Sequence, residues 1–250
     1  MAIDSLRGKV AIITGASSGI GAALARAFSK EGVLVVLAAR RIEKLQEVAD
    51  ACPSQTLVVQ CDVTSEEERQ KLLDETLERF GRVDILVNNA GIGLYADIEE
   101  TEESDLRHLF EVNVFAVFLL TKLVLPVMKK QGSGLILNIG SIGGLIAHSN
   151  KVAAYVSSKH AVVGFTRGLV KDLHGTGVDA KVVCPQLVDT GFYQVSVGAR
   201  QMEGLLDKVK SRMDTTDQVV EGIMKGIFSE QLVILPTEKS EKAYERFRDI

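Results

Sequence analysis

Seven short runs of nearly unbroken apolar residues recur along this chain, at 9–14, 33–39, 57–61, 83–88, 134–139, 179–184 and 231–235. A strand with one face in water alternates apolar and polar side chains, whereas a strand covered on both faces stays apolar throughout. Helical patterns lie between the runs, at 22–30, from 43, and at 65–79, 103–128, 152–173 and 217–228. Strand and helix in repetition mean parallel pairing, with each helix as a right-handed crossover. The expected fold class is α/β, a doubly wound seven-stranded parallel sheet with helices on both faces. Ser65 and Glu68 stand in capping-box spacing, and Gly81 marks the end of that helix.

The bulk numbers fit this reading. At 250 residues, 46% hydrophobic and 25% charged, the chain resembles an ordinary globular protein, and without a linker or repeat it reads as one domain over 1–250. A net charge of -4 argues against a nucleic-acid binder. The N-terminus lacks the apolar core of a signal peptide, since Asp4, Arg7 and Lys9 interrupt it. Asn113, Lys122 and Pro126 break up the apolar stretch 112–128, which reads as a buried helix and not as a membrane span. A soluble, cytoplasmic protein is expected. Cys52, Cys61 and Cys184 show no Cys-x-x-Cys spacing and read as small buried hydrophobes. The segment 186–216 lacks strong periodicity, which marks a lid or a binding loop.

The first apolar run leads into Thr14-Gly15-Ala16-Ser17-Ser18-Gly19-Ile20-Gly21. In such a strand-to-helix turn Gly15 permits the tight bend, Gly19 lets a pyrophosphate approach the backbone, and Gly21 allows close packing. The anion then sits on the free N–H groups of the following helix. A nicotinamide cofactor without a 2′-phosphate is usually held by a carboxylate ~20 residues further on. Here that place holds Arg40 and Arg41. Guanidinium groups pair well with a phosphate dianion and gain nothing from a bare diol. The expected cofactor is NADP(H). The plainer alternative, that both arginines only solvate a helix start, has the helix dipole against it.

Tyr155 and Lys159 stand at i and i+4, so a phenol and an ammonium share one helix face. A nearby cation favours the phenolate and readies it for proton exchange with a substrate oxygen. Ser141 lies just past the fifth run, at the carboxyl end of the sheet where ligands bind in such folds. Asn113, between Val112 and Val114, is a polar group in apolar surroundings; it serves catalysis or satisfies local backbone.

Taken together, these motifs resemble the short, single-domain branch of the short-chain dehydrogenase/reductase family, over about residues 8 to 190. Thr14 to Gly21 match its Thr-Gly-x-x-x-Gly-x-Gly motif, and Asn88-Asn89-Ala90-Gly91 its Asn-Asn-Ala-Gly motif. Asp62 matches the acidic residue after the third strand, and Asn113, Ser141, Tyr155 and Lys159 match the catalytic tetrad. The resemblance implies a Rossmann-type sheet and hydride transfer between nicotinamide and a carbonyl or alcohol carbon. Tyr155 would be the acid/base, Ser141 would orient the substrate oxygen, Lys159 would lower the tyrosine pKa and bind ribose, and Asn113 would anchor a proton-relaying water. The cofactor would meet Gly15, Ser17, Ser18, Gly19 and Ile20 at the turn and Arg40 and Arg41 beyond the second strand. Asp62 and Val63 would contact adenine, and Asn89, Ala90 and Gly91 would line the ribose region. Pro185, Val188 and Thr190 would border the nicotinamide. Homodimers or homotetramers paired through helices near 105–128 and 152–174 are implied, unless those apolar faces are simply core.

Two departures from the family pattern stand out. Gln186 follows Pro185 where glycine is usual, which places a polar side chain near the nicotinamide as a candidate substrate contact. Ser141 and Tyr155 are one residue further apart than usual, so the intervening loop is longer. Phe192, Tyr193, Met202, Leu205, Leu206 and Met213 make the segment 186–216 apolar and point to a hydrophobic or aromatic carbonyl. His108, His148, His160 and His174 have no metal-ligand spacing, so no metal is expected. The charged tail 238–249 reads as a solvated amphipathic helix. A catalytically idle nucleotide-binding sensor or structural subunit, or a sugar-nucleotide epimerase or dehydratase that shares Tyr-x-x-x-Lys, is the competing reading. The first has no need of the tetrad, and the second generally needs a larger substrate domain.

Overall fold

A computed structural model describes residues 5–147, 149–193, 196–198, 211 and 213–249. His148, Met202, Leu205 and Leu206, singled out above, lie outside them. The strands are β1 (Val10–Thr14), β2 (Leu34–Ala39), β3 (Thr56–Gln60), β4 (Ile85–Asn88), β5 (Gly134–Ile139), β6 (Val178–Val183) and β7 (Val233–Ile234). They form one seven-stranded sheet in the order β3-β2-β1-β4-β5-β6-β7, and every pairing is parallel. The order reverses between β1 and β4, and the crevice at their carboxyl ends is where such a sheet takes a ligand.

The helices are α1 (Gly19–Lys30), α2 (Ile42–Asp50), α3 (Glu66–Phe80), α4 (Glu103–Phe110), α5 (Ala116–Gln131), α6 (Ala153–Asp172), α7 (Thr216–Gly226) and α8 (Glu238–Phe247). Successive β1 side chains serve opposite layers. Ala11 and Ile13 join Leu24, Phe28, Val219 and Ile223 on one face. Val10 and Ile12 join Leu72, Leu120, Val124 and Leu169 on the other. Burial on both faces is what kept the strands apolar throughout.

Three details differ from the sequence reading. Helix α1 begins at Gly19, because the second half of the glycine motif forms its first turn. Ser65 caps α3 by accepting the Glu68 N–H, but the Glu68 carboxylate takes the Asp62 N–H at 2.6 Å. The pattern at 103–128 is helical from Glu103 to Gln131, long and apolar enough to cross a membrane by length and composition alone. In the fold Val112, Ala116, Leu120, Val124 and Met128 pack against the sheet. A π-turn, Glu111–Phe115, interrupts this helix at Asn113.

Candidate active site

The glycine turn is built against the end of β4. Gly15 and Gly19 have φ of 62° and 56°, in the left-handed region that glycine enters freely. A Cβ on Gly21 would lie 2.5 Å from the Asn89 amide nitrogen and 2.6 Å from the Gly15 carbonyl oxygen, so bare backbone is needed there. The Asn89 amide donates to the Thr14 carbonyl at 2.8 Å and to the Gly15 carbonyl at 3.2 Å. The Thr14 hydroxyl in turn accepts the Asn89 and Ala90 N–H groups. Asn89, expected beside the ribose, thus has its amide nitrogen committed to the shape of the turn. Ser18, at the N-cap of α1, makes no side-chain cap, and the first turn carries no acidic residue.

Cations gather at the same end. The Arg41 guanidinium donates to the Ser17 hydroxyl at 3.0 Å and to the Ser18 hydroxyl at 3.2 Å. Arg40 is exposed nearby, and its charge acts on Asp62. Burial would raise the Asp62 carboxyl. Two hydrogen bonds from Thr64, with the Arg40 and His108 charges, outweigh that and hold it below the usual carboxylate range. Val63, beside it, is buried.

Deeper in the crevice, α6 brings Tyr155 and Lys159 toward the end of β5. The Lys159 ammonium lies 5.8 Å from the centre of the Tyr155 ring and donates to the Ile139 carbonyl at 3.0 Å. Burial pushes Lys159 down to about 8. Tyr155 is pushed up to about 12, again by burial, against the lowering effect of its hydrogen bond with Ser141. The pair therefore shares a cleft as expected, but the direction of the tyrosine shift is a correction. Desolvation of the phenolate prevails here over the Ser141 hydrogen bond. Ser141 also accepts the Gly143 N–H at 3.1 Å, and its own N–H bonds the buried Cys184 thiol. Asn113 accepts the Ile92 N–H at 2.9 Å and donates to the Ile92 carbonyl at 2.9 Å and to Ser158 at 3.1 Å. Its amide ties the π-turn to the 91–93 segment, the structural half of the two readings. A Cβ on Gly91 would come within 3.2 Å of Asn113 Oδ1 and 3.5 Å of Lys159 Nζ, which places Gly91 among the tetrad residues.

Comparison with known proteins decides the lineage. A family model described as short chain dehydrogenase matches residues 9–222. The chain belongs to the short-chain dehydrogenase/reductase family. It is 42% identical over 191 residues to an uncharacterized oxidoreductase of Staphylococcus saprophyticus, covering 74% of this chain and 80% of that one. An uncharacterized oxidoreductase of Thermotoga maritima is 39% identical over 210 residues, 83% of this chain and 78% of that one. Among solved structures, a short chain dehydrogenase/reductase from Burkholderia phymatum in complex with NAD superposes with a TM-score of 0.89 at 30% identity, covering 97% of this chain and 94% of the other. The 3-ketoacyl-(acyl-carrier-protein) reductase from Brucella melitensis, complexed with NADH, gives 0.80 at 31% identity, with 91% and 93% covered.

Both departures from the family pattern are resolved in the structure. The loop between Ser141 and Tyr155 turns at Lys151, whose φ of 61° is the one left-handed value outside glycine among the described residues. Its carbonyl accepts the Ala96 N–H, and its ammonium meets Asp97 at 2.6 Å. Gln186 is half-buried, and its N–H donates to the Ser240 hydroxyl at 3.2 Å. Pro185 accepts the Ile142 N–H, Val188 is buried, and a Cβ on Gly19 would lie 3.3 Å from the Thr190 methyl. Phe192 stands 5.9 Å, ring to ring, from Tyr155.

Sequence reasoning missed Tyr95 and Ser196. Tyr95 is buried, 6.2 Å from the Tyr155 ring and 6.3 Å from that of Tyr193. Ser196 accepts the Gly93 N–H at 3.2 Å and donates to the Phe192 carbonyl at 2.7 Å. Leu94 pairs with Val197 in a parallel bridge. The Tyr95–Tyr193, Gly93–Ser196 and Leu94–Val197 contacts join segments about a hundred residues apart, and no local pattern announces them. The one available signal was glycine at 93, where a Cβ would lie 2.6 Å from the Ser196 oxygen.

Proposed function

We propose that the chain is an NADP(H)-dependent carbonyl reductase that uses Tyr155 as its proton donor. One observation carries this reading: a phenol held neutral by burial, hydrogen-bonded to Ser141, with a lysine ammonium beneath its ring. A carbonyl oxygen placed between Ser141 and Tyr155 would accept hydrogen bonds from both hydroxyls. A phenol with its pKa near 12 keeps its proton at neutral pH and releases it only as negative charge develops on that oxygen. The Lys159 cation then faces the phenolate that remains.

The cofactor end supports the same reading. The donors present, an α1 N-terminus without a side-chain cap, two serine hydroxyls and the Arg41 guanidinium, are those that bind phosphate groups. Gly15 to Ile20 would hold the pyrophosphate, and Arg41 with Ser17 the 2′-phosphate. When bound, the nicotinamide supplies the hydride that reduces the carbonyl carbon. The two structural relatives named above hold NAD or NADH; the preference proposed here rests on this chain's own arginines. The aromatic rings of Tyr95, Phe192 and Tyr193 around Tyr155 favour an apolar or aromatic carbonyl. Self-association is the second part of the proposal. Phe115, Phe118 and Leu119 are 50%, 41% and 37% exposed on one helical face, and Phe118 stacks on Phe165 of α6 at 3.8 Å. A second copy covering this face would make a dimer or tetramer.

The test is NADPH oxidation over a panel of ketones, aldehydes, keto acids and quinones, with Tyr155→Phe alongside. Loss of the acid is expected to lower kcat by about 10²- to 10⁴-fold. Undiminished turnover in the variant removes Tyr155 as proton donor.

A further inference from the structure

The C-terminal helix, which its charge pattern marks as a mere solvated appendage, is wired to the strap that borders the catalytic tyrosine. Asp214 is 2% exposed. Its carboxylate accepts from the Thr237 hydroxyl at 2.6 Å and meets the Lys239 ammonium at 3.1 Å. Thr237 is the N-cap of α8, and its oxygen lies 3.0 Å from that of Ser240, a residue wholly shielded from solvent. Ser240 in turn accepts the Gln186 N–H. A hydroxyl has one proton. Thr237 gives its proton to Asp214, so Ser240 must give its own to Thr237. The relay therefore runs one way, from the Gln186 N–H through Ser240 and Thr237 to the carboxylate.

The Asp214 backbone grips the same strap. Its N–H donates to the Leu187 carbonyl at 2.8 Å, and its carbonyl accepts the Asp189 N–H at 2.9 Å, on either side of buried Val188. Two residues on, Thr190 lies over Gly19, and Phe192 stands against Tyr155. We infer that Asp214 is a positioning residue, which through Thr237 and Ser240 of α8 holds the 186–192 strap as a wall of the substrate pocket. This role rests on the reductase reading for its kinetic consequence, but not for its structural one.

The experiment measures amide hydrogen exchange and steady-state kinetics on the full chain, for wild type, Asp214→Asn, Ser240→Ala and Lys242→Ala. The last removes only an exposed pair with Glu238 on the outer face of α8. In the first two variants, exchange at residues 187–192 is expected to quicken about tenfold or more while β1 and β5 stay protected. KM for the carbonyl substrate is expected to rise about tenfold with kcat changed much less, and Lys242→Ala to match wild type. Unchanged exchange at 187–192, exchange raised equally across the sheet, or an unmoved KM would each overturn the assignment. If wild type turns over no carbonyl with NADPH, the reductase reading falls, and the exchange result alone decides the role of Asp214.

Discussion

Tyr155 and Lys159 stand one helical turn apart, yet burial moves them in opposite directions, because desolvation penalises whichever form is charged. For Lys159 the sign is clear. Its folded pKa, about 8, lies below the ordinary 10.5, so between those values the unfolded chain binds a proton that the folded chain does not. Stability contributed by this site therefore rises with pH across that window and is lost as pH falls through about 8. Urea unfolding of wild type and Lys159→Met from pH 7 to 10 is expected to show wild type gaining on the variant as pH increases. A constant difference would mean that the ammonium is not desolvated. At the other end of the crevice, Arg41 touches both serines of the turn. Arg41→Ala is expected to raise KM for NADPH by about tenfold or more while leaving that for NADH within a factor of about two. Equal losses for both cofactors would refute a 2′-phosphate contact.

At the level of elements, glycines serve different ends that one substitution can separate. Gly81 ends α3 in the left-handed region, at φ 71°, and a Cβ there would meet nothing within 4 Å. Gly81→Ala is therefore expected to cost only the conformational penalty, about 1 kcal/mol, read as a lower urea midpoint with unchanged activity. Gly21 has an ordinary backbone but no space, with Asn89 and the Gly15 carbonyl against it. Gly21→Ala is expected to disturb the turn itself and to weaken cofactor binding as well as stability. The π-turn at Glu111–Phe115 is a third kind of local device. It carries Asn113, whose amide reaches Ile92 and Ser158.

For the whole molecule, the parallel sheet explains why the candidate site residues converge. Thr14, Asn88 and Ile139 end β1, β4 and β5, so the residues that follow each strand emerge on the same side. Helices α5 and α6 flank that crevice and also carry the exposed Phe118 stacked on Phe165. Phe118→Glu puts a carboxylate on the proposed contact between copies. It is expected to shift the assembly toward monomer in light scattering, with secondary structure kept. An unchanged mass would exclude that face as the interface.

What was legible in the sequence is what repeats locally. Strand burial shows as unbroken apolar runs, crossovers as helical periodicity, the turn as its glycines, and the Tyr155–Lys159 pair as one helical interval. These signals located the sheet and the crevice because each depends on neighbours within a few residues. Asn89 gripping the glycine turn, Ser196 on Gly93, and Asp214 reached from α8 depend on contacts 74, 103 and 23 residues apart, where only the folded chain sets the distance. The same holds for the tyrosine: its spacing to Lys159 is written in the sequence, but its pKa is set by how much water the surrounding rings and strands exclude. Desolvation is a property of the packed interior, and no interval between residues records it.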